Sequence, residues 1–437
     1  MTLKFGTDGV RGRALTELTP QFVTRLGLAA AQVLGTGPWL VARDTRESGQ
    51  ELEEALWAGL HLQGGAQVSS AGVLPTPGLA WLAAASGRPA AMITASHNPW
   101  QDNGVKFFAP GGLKLVDEVE QAIEKAMAHP APAVPGGAVT TSSLTNPGDA
   151  YVQHLVGLTR PLDGLGVVLD CANGAMSAVA PSAFRGLGAS VTVIHDQPDG
   201  RNINHHCGAT HVESLSAQVI ASGAQIGLAF DGDGDRVIAV DHLGRVVDGD
   251  RLIALAALQL KEEGRLHHDT VVVTVMSNLG FHKAMAAAGI EVVTTAVGDR
   301  YVLEALDGGG FSVGGEQSGH IIYRDLATTG DGLLAGLRLA EFVHHHHRTL
   351  ADLASEVMVS YPQVLVNVKV AERHPHVADE LAPEITAAER RLGGDGRILV
   401  RASGTEPLIR VMVEAATDEA ARTVADDLAA VVLSRFG

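Results

Sequence analysis

Residues 224–236 read AQIGLAFDGDGDR, an apolar run that ends abruptly in three aspartates separated by glycines. The apolar run reads as a strand, and the chain before it alternates strand with helix. GVVLDCANG (166–174) and ASVTVIHD (189–196) are strand patterns, with helical stretches near Ala175–Leu187 and Val212–Gly223. The same rhythm occurs on either side. GPWLVARD (37–44), a helix over Glu47–Gly64, AQVSSAGV (66–73), a helix over Pro77–Gly87 and AAMI (90–93) run into TASHNP. TVVVTVMSN (270–278), a helix from Leu279, IEVVTTAV (290–297), a helix near Arg300–Leu306 and FSVGGEQ (311–317) run into SGH. Such alternation predicts mostly parallel sheets, whose ligands lie beyond the carboxyl ends of strands. All three polar motifs fall there.

The tail differs. VLVNVKV (364–370), RILVR (397–401) and LIRVMVEA (408–415) alternate apolar and polar residues, as half-exposed antiparallel strands do. A helix near Val377–Leu392 lies among them, and Asp418–Ser434 closes the chain behind a Thr417 cap. At 437 residues the chain exceeds one compact core. The expected fold is α/β: three similar α/β domains with mostly parallel mixed sheets (1–147, 148–248, 249–360) and a smaller C-terminal α+β domain (361–437). Linkers are expected at His129–Gly148, Gly244–Gly249 and around Tyr361–Pro362.

The glycines of DGDGDR let the backbone bend until Asp231, Asp233 and Asp235 face one point. Three such carboxylates repel one another unless a hard cation sits among them, and oxygen-only ligation suits magnesium or calcium. An EF-hand is excluded, because its sixth position would be Arg236 and its twelfth His242. TASHNP offers Ser96 in a short loop after a buried strand, with His97 beside it and Lys106 close behind. A hydroxyl nucleophile needs a base, or a metal with a phosphate already attached. GxSxG is absent, so a hydrolase elbow is not supported.

RASGTEPLIR (401–410) reads as an anion site: backbone N–H groups around Ser403, Gly404 and Thr405, bracketed by Arg401 and Arg410. GGEQSGH (314–320) gathers Glu316, Ser318 and His320, suited to gripping sugar hydroxyls and to acid–base work. FGTDGVRG (5–12) adds Arg11 as a candidate phosphate contact. The runs His344–His347, His205-His206 and His267-His268 read as surface, since successive helix positions face different sides.

Composition narrows the class. Hydrophobic residues make up 46%, charged residues 19%, and the net charge is −17, which argues against general nucleic-acid or anionic-membrane binding. Two cysteines, Cys171 and Cys207, cannot build a disulfide framework and read as ordinary thiols. MTLKFGTDGVRG lacks the apolar core of a signal peptide, and no apolar run reaches the length of a membrane span. A cytoplasmic protein is expected.

Together, FGTDGVRG, TASHNP, DGDGDR, GGEQSGH and RASGTEPLIR resemble the ordered signature of the α-D-phosphohexomutase superfamily, covering essentially the whole chain. VGDRYVLEAL (297–306), GGEQSGH and SGTEPLIRVMVEA (403–415) are most similar to its bacterial glucosamine-phosphate branch. Departures are small: Ala42 where a glycine usually precedes RDTR, Val10 for a common isoleucine, and Ala402 in a variable slot. The resemblance implies four domains around a central cleft and one Mg2+ per chain. Phosphorylated Ser96 would complete a metal site made by Asp231, Asp233 and Asp235. Lys106 and His320 would be acid–base candidates, with Arg236 on the transferring phosphate. Arg11, Arg300, Glu316, Ser318, Arg401, Ser403, Gly404, Thr405 and Arg410 would bind substrate. The implied reaction converts glucosamine 6-phosphate to glucosamine 1-phosphate through a 1,6-bisphosphate, feeding amino-sugar nucleotide and cell-wall precursor synthesis. The partner is thus a small phosphosugar, with neither nucleic acid nor membrane; a homodimer follows only from family analogy. Rival readings are a phosphoglucomutase or phosphomannomutase, a metal-dependent sugar phosphatase and a non-catalytic sugar-phosphate binding protein.

Overall fold

A computed structural model describes residues 3–6, 8–62, 66–128, 141–403 and 407–437. The chain divides into two compact units, Met1–Met276 with Ile290–Ser355, and Ser277–Gly289 with Glu356–Gly437.

The first unit holds three mixed sheets built on one plan. In the first, Trp39–Arg43 lies between Val68–Val73 and Ala90–Ile93, all parallel. Asp102–Ala109 then returns antiparallel beside Ala90–Ile93, and Gly9–Arg13 pairs antiparallel with it in turn. In the second sheet Gly166–Asp170 lies between Ser190–Ile194 and Ile226–Phe230, and Val237–Asp241 returns antiparallel. The third sheet repeats this with Thr270–Thr274, Glu291–Thr295, Val313–Gly315 and the returning Ile321–Tyr323. Each polar motif is therefore the reversal between the last parallel strand and its antiparallel successor. Every residue of Ala90–Ile93, Ile226–Phe230 and Thr270–Thr274 is buried, which is why these strands read as unbroken apolar runs.

Most helix ends in this unit match the sequence within a residue or two, while Asp299–Gly309 runs three residues past the expected end at Leu306. Pro20–Leu34 starts with proline at its first position and is capped by the Thr19 hydroxyl, which accepts from Phe22 N at 3.2 Å. One linker expectation needs correction: residues 129–140 lie outside the described ones, but Thr141–Ser143 pairs in parallel with Val68, Ser69 and Ser70 and extends the first sheet.

The second unit has a three-stranded antiparallel sheet in the order Gln363–Lys369, Leu408–Glu414, Arg397–Ala402. Asp418–Phe436 covers it, capped as expected by Thr417, whose hydroxyl accepts from Ala420 N. The helix expected over Val377–Leu392 is broken into Val377–Glu380 and Ala382–Leu392, because Pro383 cannot supply the N–H that a continuous helix needs. The helix Leu279–Ala287, which follows a strand of the third sheet in sequence, belongs to this unit. Asn278 caps it, donating to the Tyr361 carbonyl at 2.9 Å, while Leu279 N donates to Glu414 at 2.9 Å.

The helices Pro20–Leu34 and Gly49–Leu62 meet through Gly27 and Gly59. A Cβ at Gly59 would stand 2.0 Å from the Thr24 carbonyl oxygen and 2.9 Å from Leu28 N, both backbone atoms that cannot swing aside. Gly59→Ala gains up to ~1 kcal/mol of helix propensity, but the clash should outweigh it and destabilise by about 1–3 kcal/mol net. A fall in the urea midpoint checks this; a rise would show that the helices part easily.

Candidate active site

The reversals of the first unit bring Ser96, the three aspartates and His320 together. Ser96 is 1% exposed, and its backbone sits in the left-handed region at φ 51°. Such a conformation is costly for serine and persists only where its surroundings impose it. Ser96 N donates to the Thr94 hydroxyl at 2.9 Å, and its own hydroxyl donates to Asp231 Oδ2 at 2.6 Å.

Arg46 fixes the rest of this loop. Fully buried, it pairs with Asp44 at 2.8 Å and donates to the carbonyls of Ser96, Asn98, Pro99 and Asp102. Asn204, from the second sheet's loops, also donates to the carbonyls of Ser96 and Asn98.

Asp231, Asp233 and Asp235 are buried, and one oxygen from each lies within 4.8 Å of the others. Thr76 donates to Asp233 Oδ2 at 2.6 Å. Lys106 Nζ reaches Asp233 at 2.8 Å, Asp235 at 3.2 Å and Asp8 at 2.7 Å. Burial and the repulsion of Asp235 and Asp233 push the Asp231 carboxyl well above its ordinary value. Burial also opposes the charge on Asp235, but Lys106, His320 and Arg236 outweigh it and hold that carboxyl at about 2. Burial likewise works against the Lys106 ammonium, and Asp233, Asp8 and Asp235 overcome it, so its value is raised. Asp233 Oδ1 and Asp235 Oδ1 are buried with no hydrogen-bond partner among the described residues. Orphaned carboxylate oxygens in so close a cluster fit a hard divalent cation.

Positive charge gathers near the nucleophile loop. Arg236 follows the aspartates; its backbone N donates to Asp231 Oδ1 at 3.1 Å, and its guanidinium stands 4.0 Å from Asp235. Burial, reinforced by Arg236 and Arg11, lowers the His97 imidazole to about 4, so His97 is neutral near pH 7. Arg11 pairs with Asp8 at 2.5 Å. His320 is 2% exposed, bridges to Arg236 through the backbone, and has Nε2 3.5 Å from Asp299 Oδ2. Lys114 links Asp8, at 3.0 Å, to Asp299, so charged groups connect Lys106 to His320 without interruption. Glu316 accepts from Gly298 N at 3.1 Å, and Ser318 is exposed. Arg300 is engaged elsewhere, paired with Glu120 at 2.7 Å and with Asp117.

In the second unit, Arg401 and Arg410 stand directly opposite each other on neighbouring strands. Like charges in register are unfavourable. Burial and Arg410 lower the Arg401 guanidinium, and Arg410 Nε is buried with no partner among the described residues. Ser403 is buried and its N donates to the Leu408 carbonyl at 2.9 Å; Gly404 and Thr405 lie outside the described residues.

Four sequence-family models match in order. Those for "Phosphoglucomutase/phosphomannomutase, alpha/beta/alpha" domains I, II and III match residues 2–132, 149–244 and 248–361, and the C-terminal domain model matches 365–431. The chain belongs to the phosphoglucomutase/phosphomannomutase family. A phosphoglucosamine mutase of Frankia casuarinae is 52% identical, covering 99% of this chain and 98% of that one. A phosphoglucomutase/phosphomannomutase family protein from Burkholderia thailandensis superposes with a TM-score of 0.82 at 25% identity, over 98% of this chain and 97% of that one. The N-acetylphosphoglucosamine mutase of Aspergillus fumigatus, solved with GlcNAc-6P and magnesium, shares the fold at a TM-score of 0.71 and 19% identity, over 100% and 96% of the two chains.

Sequence reasoning passed over Asp8, Asp44, Arg46, Thr76, Lys114, Asn204 and Asp299. Asp44 and Arg46 were accessible to the same rule that found the other motifs, since RDTR also follows a buried parallel strand. Arg46→Ala would leave Asp44 buried without its countercharge and remove one donor from each of four carbonyls. A loss of about 3–5 kcal/mol is expected, read as a lowered urea midpoint, together with loss of turnover. An unchanged midpoint would show that the loop holds its conformation without Arg46.

Proposed function

We propose that this phosphohexomutase is a phosphoglucosamine mutase, interconverting glucosamine 6-phosphate and glucosamine 1-phosphate through phosphorylated Ser96 and a 1,6-bisphosphate. The observation that carries the reading is the buried pairing of Ser96 Oγ with Asp231, in a carboxylate cluster that holds two unpartnered oxygens. The full-length likeness to a phosphoglucosamine mutase supports the choice of sugar.

Asp231, Asp233 and Asp235 would hold Mg2+, with a phosphate oxygen on Ser96 as a further ligand. When bound, that ion neutralises charge on the transferring phosphoryl group. The chain's own residues do the rest. Arg46 and Asn204 fix the loop so that Ser96 meets the substrate in one orientation. Arg236, with Arg11 nearby, draws the phosphoryl oxygens, while neutral His97 adds no competing charge. As the P–Oγ bond breaks and a sugar oxygen takes the phosphoryl group, the hydroxyl proton passes to His320; Lys106, held as an ammonium by Asp233, Asp8 and Asp235, is left the part of an acid. The bisphosphate then turns over in place. Its other phosphate returns to Ser96, and the same acid–base group restores the proton.

Glu316 and Ser318 would grip sugar hydroxyls. Arg401, Ser403, Gly404, Thr405 and Arg410 would clamp the distal phosphate, and Arg300 could join once it exchanged its carboxylate partners for a phosphate. Domain limits at 1–147, 148–248, 249–360 and 361–437, a cytoplasmic location and homodimeric assembly complete the reading by family analogy. Among the described residues, no helix is long and apolar enough to cross a membrane.

Peptide mapping of active enzyme should place one phosphoryl group on Ser96, and Ser96→Ala should abolish turnover. Full activity in Ser96→Ala would refute the phosphoserine mechanism. Chelation should remove activity and Mg2+ should restore it. With the wild type, glucosamine phosphate should exceed glucose and mannose phosphates in kcat/KM by at least about tenfold, or ~1.4 kcal/mol of transition-state binding. Equal turnover of glucose or mannose phosphate would reassign the sugar and leave the mechanism standing.

A further inference from the structure

A second cluster of ligating side chains lies outside the phosphoryl-transfer site. We infer that Asp170, His195 and Cys207 form a binding site for a borderline-soft transition metal of the zinc class, bracing the segment that holds the Ser96 loop. One ligand atom from each residue lies within 4.8 Å of the others. Asp170 and Cys207 are fully buried, and the His195 side chain is 30% exposed, which leaves a route for an ion. Ligands bound at about 2.0–2.3 Å around zinc stand a few ångströms apart, so this spacing is of the right order.

The orientation of His195 is the second observation. Its Nδ1 approaches Asp170 Oδ2 to 3.0 Å, an ion-pair contact that falls outside hydrogen-bond geometry among the described residues. A ring nitrogen and a carboxylate oxygen set side by side in this way can serve one centre. Asp170 is held in place by N–H groups of Ala172 and Gly208, both at 2.9 Å, the outer support that metal-bound carboxylates commonly have. Asn173 Nδ2 lies 3.9 Å from Cys207 Sγ.

The donor set selects the metal. Nitrogen, sulfur and oxygen together suit zinc, whereas the oxygen-only aspartate cluster suits magnesium. Three protein ligands leave a fourth position for water. Burial and Asp170 push the Cys207 thiol up to about 12.

The location gives the site a purpose. Asn204, which donates to the Ser96 and Asn98 carbonyls, lies three residues before Cys207, and its N donates to the Ala172 carbonyl at 3.0 Å. A metal joining Asp170, His195 and Cys207 ties together the two segments that carry this contact.

Cobalt(II) tests this in the full-length protein, stripped with chelator and returned to saturating Mg2+ to cover the aspartates. One equivalent should produce a thiolate-to-cobalt charge-transfer band in the near ultraviolet, which Cys171→Ala keeps and Cys207→Ser loses. His195→Ala, at a partly exposed position, should weaken cobalt binding at least about tenfold, since even outer-shell changes cost 10–100-fold. Absence of the band from wild-type protein at saturating cobalt overturns the inference and leaves the mutase reading intact. Unchanged affinity in His195→Ala overturns it as well.

Discussion

Burying Asp231, Asp233 and Asp235 together is the constraint from which most of the first unit follows. Three carboxylates out of water cost several kcal/mol each unless countercharge is brought to them. Each surrounding element supplies part of it. The strand Asp102–Ala109 delivers Lys106, the helix Thr76–Ser86 delivers the Thr76 hydroxyl, and Asp8 fixes the lysine from behind. Arg236 adds a second positive group beside Asp235, and two carboxylate oxygens still lack a hydrogen-bond partner among the described residues. The fold therefore assembles a candidate cation site, with the Ser96 hydroxyl already on its edge.

Repetition of one sheet plan explains how such distant residues meet. In each of the three sheets the last parallel strand reverses into an antiparallel one, and the reversal is a short loop at a strand's carboxyl end. Glycine makes two of these reversals tight enough. Gly234 (φ 76°) and Gly319 (φ 90°) occupy the left-handed region, and a Cβ at Gly319 would stand 2.2 Å from the Val237 carbonyl. Ser96 occupies the same region without being glycine, and Arg46 supplies the constraint that keeps it there.

Strands and motifs were legible because their signals are local. Buried parallel strands appear as apolar runs, and DGDGDR declares its chemistry in six residues. The missing parts depend on distance. Nothing near Lys114 in sequence indicates that it bridges Asp8 and Asp299, 106 and 185 positions away. The Leu279–Ala287 helix follows a third-sheet strand, so its membership of the C-terminal unit became visible only through Asn278 and Glu414. Pro383 was a readable breaker in the expected Val377–Leu392 helix, and its meaning was local. The pair Asp44–Arg46 was readable too, but two opposite charges side by side resemble an ordinary surface turn until burial is known.

The two groups of residues proposed to bind metal and phosphate, one in each unit, carry opposite charge imbalances. Around Asp231, Asp233 and Asp235 the protein holds more negative charge than it neutralises, and that excess calls for a cation. At Arg401 and Arg410 it sets two guanidinium groups in register across a strand pair, and burial, with Arg410 adding to it, lowers the Arg401 guanidinium. An anion between them relieves their repulsion, so binding energy comes partly from strain already present in the free protein. Such a clamp is indifferent to which carbon bears the phosphate. A mutase that must hold the 1-phosphate and the 6-phosphate in turn needs that indifference, and it needs its discrimination at the aspartate cluster, where Ser96 and His320 are buried and His320 bridges through its backbone to Arg236.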